Sequence, residues 1–320
     1  VKILVLGGSG HLGHSTLLAG LEKKVQVSAT FRDLKWTQHP QIKNLNCSWH
    51  KADLLDIQSL RQAMRGQDIV LHMAAPSTWS AKNSEQMYSL HIEGTKNVFQ
   101  AAADSGVRRI VMTSSCSAIG LQAGSKVLTE EIWNENLHSP LLKGKMLAEQ
   151  WAWNNHNRLG LELFTLCLPS LIGPHFLQNY AHAQLIRSLQ RRFLPPLPRV
   201  GFHFLDVRDA AEAHLLAAEC GLSSQRYIVA GDFVDNASLA KTARQIDPKT
   251  LCTEKALPFG LLRGFSFLDR WNLLKDFKDL DQRVSSQKIR QQLGWSSRPL
   301  MQSLKDSLSW QAFQDQQGSW

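Results

Sequence analysis

The chain has 320 residues, 43% of them apolar, enough to bury a large core and to hold one big α/β domain or a domain with a smaller appendage. Its formal charge of +9 and pI near 9.4 suit an anionic ligand such as a phosphorylated cofactor, but the basic residues are scattered, which is weak support for nucleic acid. Five widely spaced cysteines (Cys47, Cys116, Cys167, Cys220, Cys252) argue against a disulfide scaffold, and no apolar run is long enough for a transmembrane segment. No signal peptide is expected ahead of the first strand, so a reduced, cytoplasmic setting is expected.

Residues 1–6 (VKILVL) form a β-branched, apolar run. It feeds Gly7-Gly8-Ser9-Gly10-His11-Leu12-Gly13, after which Leu17, Leu18 and Leu21 recur at helical spacing. The pattern predicts strand, glycine turn and helix. Such a turn binds anions: Gly7 lets the chain reverse, and Gly10 has no Cβ to block a pyrophosphate. Gly13 lets the helix lie close on the strand, whose neighbouring helix N–H groups then face the phosphate. The spacing is GxxGxxG, and a glycine pattern alone often has no ligand. Its place between a strand and a helix makes a dinucleotide site the preferred reading. His11 and His14 have a metal-like separation, but no carboxylate or cysteine joins them, so no metal is expected.

Residues 25–31 (VQVSATF) alternate like a second strand and end in Arg32-Asp33. An acid at that tip grips the ribose hydroxyls of NAD, whereas an arginine pairs with the extra phosphate of NADP. Arg32 stands at the tip and Asp33 one step beyond, which favours NADP over NAD; the alternative is a plain surface arginine. Residues 47–52 lead to Asp53-Leu54, where Asp53 could accept a hydrogen bond from the adenine amino group or serve as a turn or N-cap aspartate. A helix through Leu60 and Met64 precedes the strand 68–75 (DIVLHMAA), whose small ending lets a cofactor lie against the backbone at Met73-Ala74-Ala75. Residues 84–103 read as a long helix and 107–113 as the fifth strand, ending in Ser114-Ser115-Cys116-Ser117. Hydroxyls at the carboxyl end of a parallel strand point into the ligand crevice. Residues 141–157 are helical, 161–168 form the sixth strand, and Pro169 to Pro174 break it.

Beyond Pro174 the alternation is irregular: a helix near 181–191, the stiff Pro195-Pro196-Leu197-Pro198, a strand at 202–207, a helix at 210–219 and a strand at 227–230. The expected fold is α/β, a Rossmann-type doubly wound parallel sheet over residues 1–173 with a smaller C-terminal substrate-binding lobe over 174–320, from which 202–219 and nearby strands return to the core. The apolar segment 257–274 has three readings: a lid, a membrane-surface helix or a packing helix, of which packing is favoured.

In their order and spacing these residues resemble the extended short-chain dehydrogenase/reductases, the NAD-dependent epimerase/dehydratase family, over nearly the whole chain. The resemblance rests on Gly7 to Gly13, Ala52-Asp53-Leu54, Met73-Ala74-Ala75, Glu93-Gly94-Thr95-Lys96-Asn97-Val98 and Thr113-Ser114-Ser115. It continues through Lys145-x-x-Ala148-Glu149, Pro169 to Pro174, Phe204 to Ala211 and Leu293-Gly294-Trp295. Residues 29–33 and 194–198 look most like the dihydroflavonol reductase-like branch, whose members generally favour NADP(H). The resemblance implies a cofactor site made by Gly7, Ser9, Gly10, His11, Leu12, Gly13, Arg32, Asp53, Leu54, Met73, Ala74, Ala75, Lys145, Pro169, Leu171 and Ile172.

It also implies hydride transfer coupled to proton transfer by a tyrosine in a Tyr-x-x-x-Lys pair, with a strand-end hydroxyl on the substrate oxygen. Ser115 best matches that hydroxyl, with Ser114 and Ser117 as near alternatives, and Lys145 matches the lysine that holds the nicotinamide ribose. The tyrosine's position holds Leu141, and the chain's tyrosines, Tyr88, Tyr180 and Tyr227, all lie outside 89–179. His91 stands where the family usually has an asparagine that organises the relay water, and Leu168 replaces the usual arginine before Pro169. General acid–base help is typically worth ~10²–10⁴-fold in rate, so a substitute donor is sought among His91, His175 and Tyr180. The implied function is an NADP(H)-dependent oxidoreductase on a small carbonyl or alcohol substrate; the alternative is a non-catalytic NADP(H)-binding sensor or partner-binding subunit. A homodimer through the helices around 84–104 and 141–157 is implied as well.

Overall fold

Strands β1 (Lys2–Leu6), β2 (Gln26–Phe31), β3 (Ser48–Lys51), β4 (Ile69–His72), β5 (Arg109–Ser115) and β6 (Glu162–Leu168) alternate with helices α1 (His11–Glu22), α2 (Ile57–Met64), α3 (Ser84–Asp104) and α4 (Pro140–Asn155). There follow β7 (Ser170–Ile172), α5 (Ala183–Gln190), β8 (Val200–Asp206), α6 (Val207–Glu219), β9 (Gln225–Ile228), β10 (Phe233–Asp235), α7 (Asn236–Ile246), β11 (Leu280–Asp281), α8 (Gln287–Leu293) and α9 (Leu300–Gln317). This computed structural model describes residues 1–75, 83–121, 126–177, 183–194, 196, 199–258, 276 and 280–317. Tyr180, Pro195, Leu197, Pro198 and residues 259–274 of the apolar segment lie outside the described residues.

The main sheet has seven parallel strands in the order β3-β2-β1-β4-β5-β6-β9. Its order reverses at β1 and β4, where the loops after the two strands diverge and open a crevice at their carboxyl ends. Alternation along β1 explains why both faces are covered. Ile3 and Val5 pack with Leu17, Ala210, Ala211 and Leu215 under α1 and α6, while Leu4 and Leu6 pack with Leu60, Met64, Val98 and Phe99 under α2 and α3.

The region expected to return to the core divides between two sheets. The strand expected at 202–207 is β8, which lies in a second, four-stranded sheet with β10 antiparallel and β7 and β11 parallel to it. Phe204 and Val234 bury there against Ile186 and Leu304. α6 and β9 do join the main sheet, β9 pairing with β6 at its edge. The Arg109 guanidinium fastens this return: it donates to the carbonyls of Ala217, Ala218 and Cys220 at 2.7–3.0 Å, occupying the open C-terminal end of α6. Trp295 inserts its buried ring beside α6 and donates its indole N–H to the Asp209 carbonyl at 2.9 Å. Among the described residues no helix is long and apolar enough to cross a membrane.

Candidate functional site

The glycine loop has the geometry of an anion cradle. Gly7 adopts φ +90°, and a Cβ on it would meet the Ala74 backbone at 3.0 Å. Gly13 is tighter still, since a Cβ there would lie 2.1 Å from the Gly7 carbonyl oxygen. Around Gly10, by contrast, a Cβ would meet only the Gly7 oxygen at 3.2 Å, so its outer side is open. α1 starts at Gly10 with no side-chain cap and no acidic residue in its first turn. The N–H groups of Leu12 and Gly13 donate to nothing among the described residues, and half-buried Ser9 completes the loop. Unpaired amides at the positive end of a helix are the donor set a pyrophosphate requires. These residues therefore fit a dinucleotide. His11 and His14 turn away, His11 Nε2 bonding the Pro174 carbonyl at 2.8 Å and His14 Nδ1 that of His175 at 2.9 Å.

At the tip of β2, Arg32 is exposed and makes no hydrogen bond or ion pair with the described residues. Asp33 instead caps the following turn through the Lys35 N–H at 3.0 Å. The register pairs Phe31 with Lys51, which brings a second exposed cation to the same corner. Lys51 is not evident from sequence, because its relevance depends on the alignment of β3 with β2. Asp53 is exposed and forms a turn, one carboxylate oxygen accepting the Leu55 N–H at 2.9 Å. Leu54 packs against Gly94, its carbonyl held by Asn97 at 2.9 Å. Met73 and Ala74 are half-buried beside β1, and Ala75 is exposed.

The residues expected at the reactive end lie where α4 packs on β5 and the turn after it. Ser115 Oγ accepts the N–H of Ser117 at 3.2 Å and its hydroxyl at 2.8 Å, leaving the Ser115 O–H free to donate to a substrate oxygen. Ser114 is committed elsewhere, donating at 2.6 Å to the fully buried Glu149 carboxylate, which also receives Arg226 at 2.9 Å. On α4, Leu141 is half-buried in an apolar cluster with Met87 and Leu90 of α3. Lys145, one turn later, makes no hydrogen bond or ion pair with the described residues, and burial lowers its pKa. The start of α4 is pinned by Asp276, whose carboxylate accepts the N–H groups of His138 at 2.8 Å and Ser139 at 2.7 Å. Neither Asp276 nor His72 carries a sequence signal of its role.

The suggested proton donors fare differently. Buried His91 packs its ring on Gly144. Burial first, then Lys145 and His72, push its pKa down to about 3, so it is neutral at neutral pH and is not an imidazolium acid. His72 behaves alike, pushed by burial to about 4. His91 Nε2 and His72 Nδ1 have no partner among the described residues. His175 is occupied on the α1 side, its Nδ1 3.2 Å from Ser15 Oγ and its ring edge-on to Trp310 of α9. Burial pushes its pKa down to about 4. Pro169 and Leu171 are half-buried beside the crevice, whereas the Ile172 side chain is wholly buried in the core of the lobe, leaving only its backbone for a cofactor.

The sequence profile of the NAD dependent epimerase/dehydratase family matches residues 3–230. Cinnamoyl-CoA reductase 1 of Petunia hybrida is 30% identical over 277 residues, covering 80% of this chain and 81% of its own. Dihydroflavonol 4-reductase of Dianthus caryophyllus is 28% identical over 272 residues, covering 77% and 74%. The crystal structure of yeast methylglyoxal/isovaleraldehyde reductase Gre2 complexed with NADPH superposes with a TM-score of 0.77 at 20% identity, covering 98% of this chain and 99% of that one. At that identity the likeness shows the fold.

Proposed function

The chain belongs to the NAD-dependent epimerase/dehydratase family, and on that premise we propose that it is an NADP(H)-dependent reductase of small carbonyl compounds, with an altered proton donor. The observation that carries this reading is Lys145, half-buried and without a partner among the described residues, on the helix packed against β5. Reduced nicotinamide, when bound, supplies the hydride. Gly7 to Gly13 hold the pyrophosphate, Arg32 with Lys51 the 2′-phosphate, Lys145 the ribose hydroxyls, and Ser115 donates to the carbonyl oxygen. The relatives named as cinnamoyl-CoA and dihydroflavonol reductases support a carbonyl substrate. A homodimer packing α3 and α4 on their symmetry mates belongs to the same reading, supported by the way the two helices lie side by side.

Incubation with NADPH and a panel of ketones, aldehydes, acyl thioesters and nucleotide sugars is expected to oxidise the cofactor with at least one of them. Ser115→Ala should slow that reaction by ~10²–10³-fold, as loss of a donor to a developing oxyanion does. No turnover across the panel with NADPH bound would favour the second reading, a non-catalytic NADP(H)-binding sensor or partner-binding subunit. That reading draws on the apolar contacts of Leu141.

Calorimetric titration is expected to show NADPH binding more tightly than NADH. In Arg32→Gln the preference should shrink by roughly 10- to 100-fold, the worth of a charged hydrogen bond to phosphate. An equal loss for both cofactors would place Arg32 outside the phosphate site.

A further inference from the structure

We infer that Lys145 does more than hold ribose: its ammonium delivers the proton to the substrate oxygen, replacing the hydroxyl that Leu141 lacks. The inference rests on the reductase reading. Among the described residues, the other groups around it are neutral or committed. From α3 comes His91 and from β4 His72, both neutral at neutral pH because burial disfavours their cations. From β5 and the turn after it come Ser115 and Ser117, hydroxyls bonded to each other. One turn along α4 stands Glu149, whose carboxylate is taken by Arg226 and Ser114. Lys145 is the cation among these groups, and its N–H groups have no acceptor among the described residues.

Leu141 also makes the role possible. A phenol at 141 would share the lysine's charge and take over the donor's place. An isobutyl group there packs on Met87 and Leu90 instead, and one turn later burial strips hydration from the Lys145 cation, which makes it a stronger acid. An ammonium has three N–H bonds, enough to hold a ribose hydroxyl and still point one at a carbonyl oxygen. As the carbonyl carbon is reduced, an Nζ–H bond breaks and an O–H bond forms on the former carbonyl oxygen. The substrate leaves as the alcohol, and the neutral amine recovers its proton from solvent.

The test has two arms. In the cofactor-free protein, dinitrofluorobenzene labels a lysine only in its neutral amine form, and mass spectrometry across a pH series gives each lysine's midpoint. Lys145 is expected to have a midpoint below those of the exposed lysines. In the second arm Lys145→Arg keeps the cation and its reach, but a guanidinium does not give up its proton. NADPH binding should stay within a few-fold, while carbonyl reduction falls by ~10²–10⁴-fold. The decline of wild-type kcat as pH rises through the Lys145 midpoint should disappear in the variant's residual rate. In Lys145→Ala, methylamine should restore part of the rate. An ordinary labelling midpoint, or full turnover in the arginine variant, overturns the proton assignment and leaves the reductase reading standing. Absence of turnover in the unmodified protein with NADPH bound overturns the reductase reading, and the proton assignment falls with it.

Discussion

Gly13→Ala is expected to weaken NADPH binding by roughly 5- to 150-fold, the equivalent of an overpacking penalty of ~1–3 kcal/mol. The added methyl would lie 2.1 Å from the Gly7 oxygen, 2.8 Å from its carbonyl carbon and 2.9 Å from the Gly8 Cα. All three are backbone atoms, so no rotamer change relieves the collision. The first turn of α1 has to move off the loop, and the free N–H groups of Leu12 and Gly13 move with it, away from the anion they are set to meet. Gly221→Ala is the matched control: that glycine is exposed with open space around it, and calorimetry should show unchanged affinity. Equal affinities for the two variants would mean that the cradle's tight packing is unrelated to binding.

Arg226→Leu is expected to cost ~3–5 kcal/mol of stability, read from urea unfolding, because it strands a buried charge. Arg226 holds Glu149 with two N–H groups at 2.9 and 3.2 Å, and with a third donates to the carbonyls of Glu130 and Ile132 at 2.6 and 2.7 Å. Its guanidinium carbon sits 3.6 Å from the centre of the Trp133 ring. Glu149 is wholly shielded from solvent, so removing the arginine leaves a carboxylate with only Ser114 and the nearby Cys167 thiol beside it. Arg226→Leu combined with Glu149→Leu should recover much of the loss, since no unpaired charge then remains. A single variant as stable as wild type would show that the pair carries no structural weight.

The parts that were legible in the sequence are those whose chemistry is local. A glycine loop between an apolar strand and a helix, hydroxyls at the end of β5, and Lys145 one turn after Leu141 are all written in consecutive residues. The sheet that the strand at 202–207 joins is not written in its sequence, because its alternation of apolar faces would serve equally well in either; its partner β10 has only three residues and β11 only two. Lys51 needed the register of two strands. The Glu149–Arg226 pair needed a contact across 77 positions, and the Asp276 cap one across 137 and 138. The surroundings of His175 were hidden in the sequence for the same reason. Its neighbours, Ser15 and Trp310, come from helices at opposite ends of the chain.

The late return of α6, β9 and Trp295 to the main sheet has a consequence for biosynthesis. When the ribosome has made the first six strands, β6 still presents an open edge and the face later covered by α6 is bare. Both persist until residues 207–228 have emerged, and Trp295 closes the packing later still. An unpaired strand edge beside bare apolar surface invites pairing with another chain. Truncation at residue 173 would make that exposure permanent, so residues 1–173 depend on residues 207–295 for cover.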